Sequence, residues 1–413
     1  MHHSTCRIEM IIIFAALTEL PEMILFEEAL EIISKSAVPL ASEKIKLEEC
    51  LGRVLAKDVF SDMDMPPFDK SAVDGYACRR DDLQNELKVL ETIPAGKTPT
   101  RIIGPGECSK LMTGGMLPKG ADTVIMVEDV EVTGNDTIRF VASKTASNFC
   151  LKAEDIRKNE KVLTKGTQIR PQEIAILASV GCAYIEVYKQ PRIGIISTGD
   201  ELVEPSETPA ESQIRNSNAY QLMAQAKLAD CSPRYFGIAR DTEKETLQII
   251  EQAGAESDIV ILTGGISAGD FDFVPAVIQQ AGYEIKFRQL AVQPGKPVIF
   301  ATREGKYLVA LPGNPVSSFV QFEMLVKHLI RIISGNEGKL NQVKVAMGAD
   351  YTRKKTTRKA FFPVTFSSEG TVMPTEYHGS AHIHSYIHAD GIVTIEIGET
   401  EIKKGTLVNV RLV

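Results

Sequence analysis

The sequence predicts a multidomain chain of α/β plus β class: a doubly wound α/β domain, a β-rich lobe before it and a small C-terminal β-domain after it. Three observations lead there. The chain has 413 residues, and at roughly 100–200 residues per domain that is two to four domains. Residues 44–150 and 341–413 are short β-rich pieces separated by Gly/Pro turns, a strand-and-turn pattern. From Pro191 onward, short apolar runs alternate with stretches at helical spacing, which argues for a parallel sheet wound with helices.

Taken in order, residues 1–22 read as an N-terminal appendage. Met10–Leu17 is apolar but far too short to span a bilayer, and Thr18-Glu19-Leu20-Pro21-Glu22 makes a poor signal-cleavage region. Met23 to Ser36 places Leu25, Phe26, Ala29, Leu30, Ile32 and Ile33 on one broad face, so a helix is expected. In the lobe, Lys88–Ile93, Thr123–Val130 and Thr137–Val141 read as strands. Pro171 to Val180 reads as a helix with proline in its first turn. Ile193–Ser197, Arg234–Ala239, Ile259–Leu262 and Tyr307–Leu311 are expected buried strands. Helices are expected at Asn218–Ala229, Thr242–Ala253, Val274–Ala281 and Val316–Ile333, with Asn216-Ser217-Asn218 and Asp241 as N-caps. The C-terminal strands are Gln342–Met347, Phe361–Phe366, Ile392–Ile397 and Thr406–Leu412.

Composition narrows the function. Apolar residues at 44% and charged residues at 24% are an ordinary globular balance, which excludes disorder. The net charge of −8 argues against binding nucleic acid through phosphate neutralisation, and no membrane span is expected. Seven cysteines, no two closer than 28 residues, hold no CxxC knuckle and no disulfide framework. A reducing, cytoplasmic compartment follows.

Ligands of open α/β sheets bind at the carboxyl ends of the strands. There the chain places Ser197-Thr198-Gly199-Asp200-Glu201-Leu202, Arg240-Asp241, Thr263-Gly264-Gly265-Ile266-Ser267-Ala268-Gly269-Asp270-Phe271-Asp272 and Pro312-Gly313-Asn314-Pro315. Any one of these loops simply turns the chain or caps a helix. Four of them converging on one crevice, with glycine amides, hydroxyls and carboxylates, favour a nucleotide or pyrophosphate with a hard cation. Two prolines stiffen Pro66-Pro67-Phe68-Asp69-Lys70-Ser71-Ala72-Val73-Asp74-Gly75-Tyr76-Ala77; a solvated turn or a loop reaching another domain's crevice reads equally well. Arg353-Lys354-Lys355-Thr356-Thr357-Arg358-Lys359 carries five positive charges in seven residues, as a solvated face or as an anion funnel. Lys286, Arg288, Lys296 and Arg303 form a sparser basic set. Four histidines fall between His378 and His388, with His384 and His388 on one face if helical. No carboxylate or cysteine completes a metal set there, so surface histidines are the default.

At these residues the sequence closely resembles the molybdopterin molybdenumtransferases, the family of the bacterial molybdenum-insertion enzyme and the gephyrin E domain. The resemblance runs from Met23 onward and rests on PPFDKSAVDGYA (66–77), LMTGG (111–115), STGDEL (197–202), TGGISAGDFDF (263–273), QPGKP (293–297) and LPGNPVSSF (311–319), in that order. It implies a helical and extended linker domain at 23–43 and 151–190, with the β-rich lobe at 44–150 inserted in it. The α/β molybdopterin-binding domain would span 191–335 and the C-terminal β-domain 336–413. It also implies an elongated homodimer, the α/β domain of one subunit facing the lobe of the other.

The implied reaction is insertion of molybdate into adenylylated molybdopterin with release of AMP, Mg²⁺ as cofactor and molybdate as substrate. Asp74, Asp155, Glu201, Asp241 and Asp272 match catalytic positions, with Glu201 and Asp272 as the Mg²⁺ ligands. Thr113, Ser267, Lys296, Pro312, Pro315, Arg358 and Ser380 match substrate-binding positions. Further partners implied are the adenylyltransferase and apo-molybdoenzymes. The alternatives are a molybdopterin adenylyltransferase, which is usually the α/β domain alone, and a tungstate-using paralogue. Two departures stand out: Gln289 and Gln293 replace lysines of a KxxxKPGKP pattern, and Lys152-Ala153-Glu154-Asp155 replaces an RGED-like turn.

Overall fold

The computed structural model describes residues 23–266, 273–338, 342–376 and 379–413. The appendage of residues 1–22, and with it Met10–Leu17, lies outside them. The helix expected at the start of the body spans Phe26–Ser36 and buries Phe26, Ala29 and Ile33, a three-and-four spacing that lays one stripe on the core. Phe26 meets Phe361 edge-on at 5.2 Å. The Phe26–Ser36 stripe thus ties the chain's start to the C-terminal domain.

The segments before and after the lobe meet in a small unit. Ser42–Lys46 pairs antiparallel with Tyr184–Tyr188, and Cys50, Leu55, Ile169, Leu177, Ile185 and Val187 close its core. The helix Pro171–Ser179 contributes Leu177. Between these segments lies a six-stranded sheet in the order Thr123–Met126, Gly75–Cys78, Glu107–Leu111, Glu86–Ile93, Thr137–Phe140, Val130–Val132. The single strand expected over Thr123–Val130 is broken by a 3-10 turn at Val127–Asp129. That turn sends its two halves to opposite edges of the sheet. Cys78 and Cys108 face each other across two strands, and burial pushes both thiols up to about 12, which keeps them inert. The described cysteines are free.

The α/β domain follows. Its strands are β1 (Arg192–Thr198), β2 (Ser232–Ala239), β3 (Ile259–Thr263), β4 (Glu284–Gln289), β5 (Pro297–Arg303) and β6 (Lys306–Leu311), in the order β2-β1-β3-β6-β5-β4. β2, β1, β3 and β6 are parallel, as expected. β5 and β4 add antiparallel strands at one side, so the sheet is mixed. Sequence reading missed this hairpin because Lys286 and Arg288 alternate with Ile285 and Phe287, a pattern that looks like scattered charge. Helices α1 (Asn218–Leu228) and α4 (Pro315–Gln321) pack on the face carrying Ile195, Ile261 and Val309. Helices α2 (Glu243–Glu256) and α3 (Val274–Gln280) pack on the face carrying Ile196, Leu262 and Leu308. Both faces are covered, which is what doubly wound means.

The helix expected over Val316–Ile333 is interrupted: α4 passes through a π turn at Phe322–Val326 into α5 (Lys327–Ile333). One capping assignment changes: Thr242, not Asp241, caps α2 and accepts from the Glu245 amide at 3.3 Å. In the triplet before α1, Ser217 makes no side-chain cap bond, but Asn216 Oδ1 accepts from the Ala219 amide at 3.3 Å. The C-terminal domain is a sheet in the order Lys359–Phe366, Gly391–Ile395, Leu407–Leu412, Gln342–Ala346. Its outer edge is extended by Val292–Gln293, which pairs parallel with Lys359–Phe366. That two-residue strand carries the Gln293-Pro294-Gly295-Lys296 loop up to Arg358.

Candidate active site

At the carboxyl ends of β1, β3 and β6 opens a cleft of about 1000 Å³. Its floor is stitched by side chains. Asn218, at the start of α1, donates to Thr263 Oγ1 and to the Gly313 carbonyl, both at 2.8 Å, and Thr263 Oγ1 donates to the Pro312 carbonyl at 3.2 Å. The ends of β3 and β6 are therefore locked together, and Asn218 Oδ1 is left buried without a partner among the described residues. Beside it, Ser197 donates to Asn216 Oδ1 at 3.1 Å, and Asn216 donates to the Tyr235 hydroxyl at 2.8 Å. Tyr235 in turn donates to Glu204 at 2.7 Å. Burial, then that carboxylate, raises the Tyr235 phenol above its ordinary range, so it remains a proton donor.

Two glycines shape the cleft. A Cβ on Gly199 would lie 2.3 Å from Glu201 Oε2, so the bare backbone makes room for the carboxylate folding back over it. Gly264 turns at φ +98°, and a Cβ there would lie 2.5 Å from the Thr198 carbonyl oxygen. Only glycine takes both the dihedral and the approach.

Of the residues singled out from sequence, Glu201, Lys296, Pro312, Pro315, Arg358 and Ser380 line this cleft, with Gln293 beside them. Ser380 accepts from Asn314 Nδ2 at 2.9 Å and its carbonyl accepts from the Val316 amide at 3.0 Å, so the C-terminal domain closes the far wall. Ser267 and Asp272 lie outside the described residues. Arg240-Asp241, expected at the same crevice, stands outside its lining; the Asp241 carboxylate accepts from the Asp200 amide and the Asp200 carboxylate from the Asp241 amide, each at 3.3 Å.

The basic run does not act as one funnel. Arg353 donates to the carbonyls of Glu399 and Arg358. Lys359 is buried in ion pairs with Glu27 and with Glu396, the latter at 3.0 Å. Arg358 alone of the run lines the cleft, donating also to the Val292 carbonyl at 3.2 Å. In the sparser basic set, Lys286 pairs with Glu284 at 2.6 Å and Arg303 donates to Ala281, leaving Lys296 at the cleft. Among the described residues of the histidine segment the helical structure is a 3-10 turn at Ile383–Tyr386, so His384 and His388 share no α-helix face; His378 lies outside the described residues. Among the described residues no group of three His, Cys, Asp or Glu could hold a metal by itself.

A second cluster forms at the end of the β-rich lobe. Asp74 Oδ1 accepts from both the amide and the hydroxyl of Thr113, each at 2.6 Å. The Thr113 hydroxyl, then its amide, hold the Asp74 carboxyl below its ordinary 3.8. The Asp155 loop docks on the same proline-stiffened segment, the Asp155 amide donating to Met65 and the Lys152 amide to Asp69 Oδ1 at 2.8 Å. Asp74 and Thr113 are exposed and do not line the cleft of their own chain. A depressed carboxyl pKa favours the folded state above the unfolded value and loses that contribution as pH falls through the folded one. Thr113→Val should therefore raise the Asp74 pKa toward its ordinary value, read by carboxyl-carbon NMR titration. An unmoved titration would show that the amide alone sets it.

Sequence reasoning missed Asn218 and Arg215 in the lining, while Asn314 was expected there as part of the Pro312-Gly313-Asn314-Pro315 loop. Asn218 was visible only as part of a capping triplet, and nothing in a lone asparagine signals that it joins two strand ends.

Comparison with known proteins covers nearly the whole chain. Residues 24–181 match the family described as MoeA N-terminal region (domain I and II). Residues 194–332 match the probable molybdopterin binding domain, and 345–413 the MoeA C-terminal region (domain IV). The molybdopterin molybdenumtransferase of Staphylococcus aureus is 34% identical over 397 residues, 94% of each chain; that of Staphylococcus epidermidis is 32% identical over the same shares. A crystal structure of a molybdopterin biosynthesis MoeA protein from Pyrococcus horikoshii is 30% identical, with a TM-score of 0.82 over 95% of this chain and all of that one. No helix among the described residues is long and apolar enough to cross a membrane.

Proposed function

Because the chain belongs to the molybdopterin molybdenumtransferase family, an enzyme family of molybdenum cofactor biosynthesis, we propose that it inserts molybdate into adenylylated molybdopterin in this cleft, releasing AMP. The observation that carries the reading is the convergence of Arg358, Lys296 and Ser380 on the same cleft as the β1, β3 and β6 loops. The substrate carries a pyrophosphate and the co-substrate is an oxyanion, so a cationic wall opposite a loop-lined floor suits both.

The roles divide as follows. Thr263 and Asn218 fix the floor, and Pro312 and Pro315 hold the loop beside the nucleotide. Arg358, Lys296 and Ser380 bind anionic oxygens, and Ser267 belongs with them. Glu201 and Asp272 would hold Mg²⁺, which usually takes one or two carboxylates plus phosphate oxygens. The described residues fit that demand with Glu201 folded over Gly199. Bound there, the ion would neutralise the pyrophosphate as its P–O bond breaks. Asp241, tied to Asp200, positions the neighbouring loop.

Asp74, Thr113 and Asp155 complete the site from a second subunit, since they cluster exposed on the lobe and away from their own cleft. The chain is thus read as a homodimer in the cytoplasm. Residues 23–43 with 151–190 are read as linker, together with the Ser42–Lys46 strand, Cys50 and Leu55 that pack in the same unit; the remainder of 44–150 is read as lobe, 191–335 as α/β domain and 336–413 as C-terminal domain.

The test is the rate of AMP release from adenylylated molybdopterin with Mg²⁺, measured against molybdate. One positive charge about 4 Å from an anion contributes roughly 4 kcal/mol at an effective dielectric near 20. Arg358→Ala should raise the half-saturating molybdate concentration about tenfold or more. Gln293→Lys, which restores a family cation in the lining, should lower it several-fold. Molybdate-independent AMP release would contradict the reading, and unchanged half-saturation in both variants would move the oxyanion elsewhere.

A further inference from the structure

A second cavity, of about 190 Å³, lies where three parts of the chain meet. Its walls come from Arg53 and the Tyr188–Pro191 segment, from α5 and the turn after it, and from the last strand, Leu407–Leu412. Five cations line it, Arg53, Lys189, Lys327, Arg331 and Arg411, against one carboxylate, Asp230.

Three of these charges are already answered. Arg53 pairs with Glu43 at 2.5 Å and donates to the Tyr188 carbonyl at 2.7 Å. Lys327 pairs at 2.6 Å with Glu323, whose other oxygen accepts from Gln225 at 2.8 Å. Asp230 accepts from Gln190 at 3.2 Å.

Arg411 is different. It is 9% exposed, and its guanidinium makes no hydrogen bond or ion pair among the described residues. Val408 and Val410 of its strand point into the C-terminal core; Arg411 points the other way, to the cavity. Arg331 comes up beside it from α5 with one nitrogen on the Gly338 carbonyl. Burial pushes both guanidinium groups below their ordinary value, and Arg331 pushes Arg411 further while Glu323 pulls it back. Arginine does not shed its proton to escape such a place, and an unanswered buried charge is costly. An anion between the two forks would answer both.

We propose that this cavity is a second anion site, separate from the cleft, taking a small tetrahedral oxyanion of the phosphate class between Arg411 and Arg331. Held there, the ion would clamp the linker segments, α5 and the C-terminal strand together.

The experiment is calorimetric titration of inorganic phosphate into the full chain carrying Arg358→Ala, which weakens anion binding in the cleft, with ionic strength fixed by chloride. One phosphate per chain is expected, and Arg411→Gln in the same background should weaken it at least about tenfold, the loss of a charge-assisted pair. Should Arg411→Gln not fold, Arg331→Gln, at a half-buried position, carries the same expectation. Phosphate should also raise the melting temperature of the parent and not of either variant. Sulfate and molybdate titrations distinguish which oxyanion fits best. No binding in the parent, or equal affinity in parent and variants, overturns the proposal.

Discussion

Gly264→Ala is expected to lower AMP release by about a hundredfold and to melt the protein several degrees earlier. The Cβ it adds would lie 2.5 Å from the Thr198 carbonyl oxygen and 2.9 Å from the Thr198 hydroxyl, so β1 and the β3 loop must part. The dihedral of +98° adds strain that alanine cannot relieve, about 1–2 kcal/mol on its own. The displaced backbone also carries Thr263, through which Asn218 holds the Pro312-Gly313 loop. A misplacement of about 1 Å in a positioning element costs about 10²-fold in rate. Steady-state AMP release and a thermal melt check both halves. Wild-type rate with an unchanged melt would mean that the cleft tolerates separation of these strands.

A purified heterodimer of two dead variants should show about half the wild-type activity. Asp74→Asn removes the carboxylate that Thr113 holds on the lobe; Glu201→Gln removes the one over Gly199 in the cleft. Each alone should lose about 10²–10³-fold, the usual range for a transition-state contact. If one subunit's lobe completes the other's cleft, a heterodimer purified through two different tags contains one site with both lesions and one with neither. The intact site supplies half the wild-type rate. If each chain carries a complete site, every site in the heterodimer has one lesion and activity stays near zero. The outcome separates the arrangements without needing a structure of the dimer.

Much of this was legible in the sequence, and the rest was hidden for identifiable reasons. The strands β1, β3 and β6 announced themselves as short apolar runs between helical stretches, because a strand buried on both faces has no polar side to show; β2, expected buried as well, is a half-exposed edge strand. The β4–β5 hairpin did not announce itself, since an edge strand with one wet face mixes Lys286 and Arg288 into its pattern. The π turn at Phe322–Val326 left no signal in an apolar run that reads as one helix. In the cleft, Glu201, Pro312 and Pro315 followed from the rule that ligands sit at strand carboxyl ends. By residue pattern Arg358 was one of five charges, and only the family resemblance singled it out. What separates it from Lys359, which is spent on Glu27 and Glu396, is the register of Val292–Gln293 beside Lys359–Ala360. A strand pair that joins residues nearly seventy positions apart cannot be read from local pattern. The same pairing explains why Gln293 lines the cleft beside Arg358 while Gln289, in β4, does not.

The central claim is that molybdenum is handled in the cleft at the ends of β1, β3 and β6. Anomalous scattering at the molybdenum absorption edge, from crystals of the full chain with adenylylated molybdopterin and molybdate, tests it most directly. The account predicts a molybdenum peak inside that cleft, against the wall formed by Arg358, Lys296 and Ser380. A fully substrate-loaded crystal with no molybdenum in the cleft would contradict it.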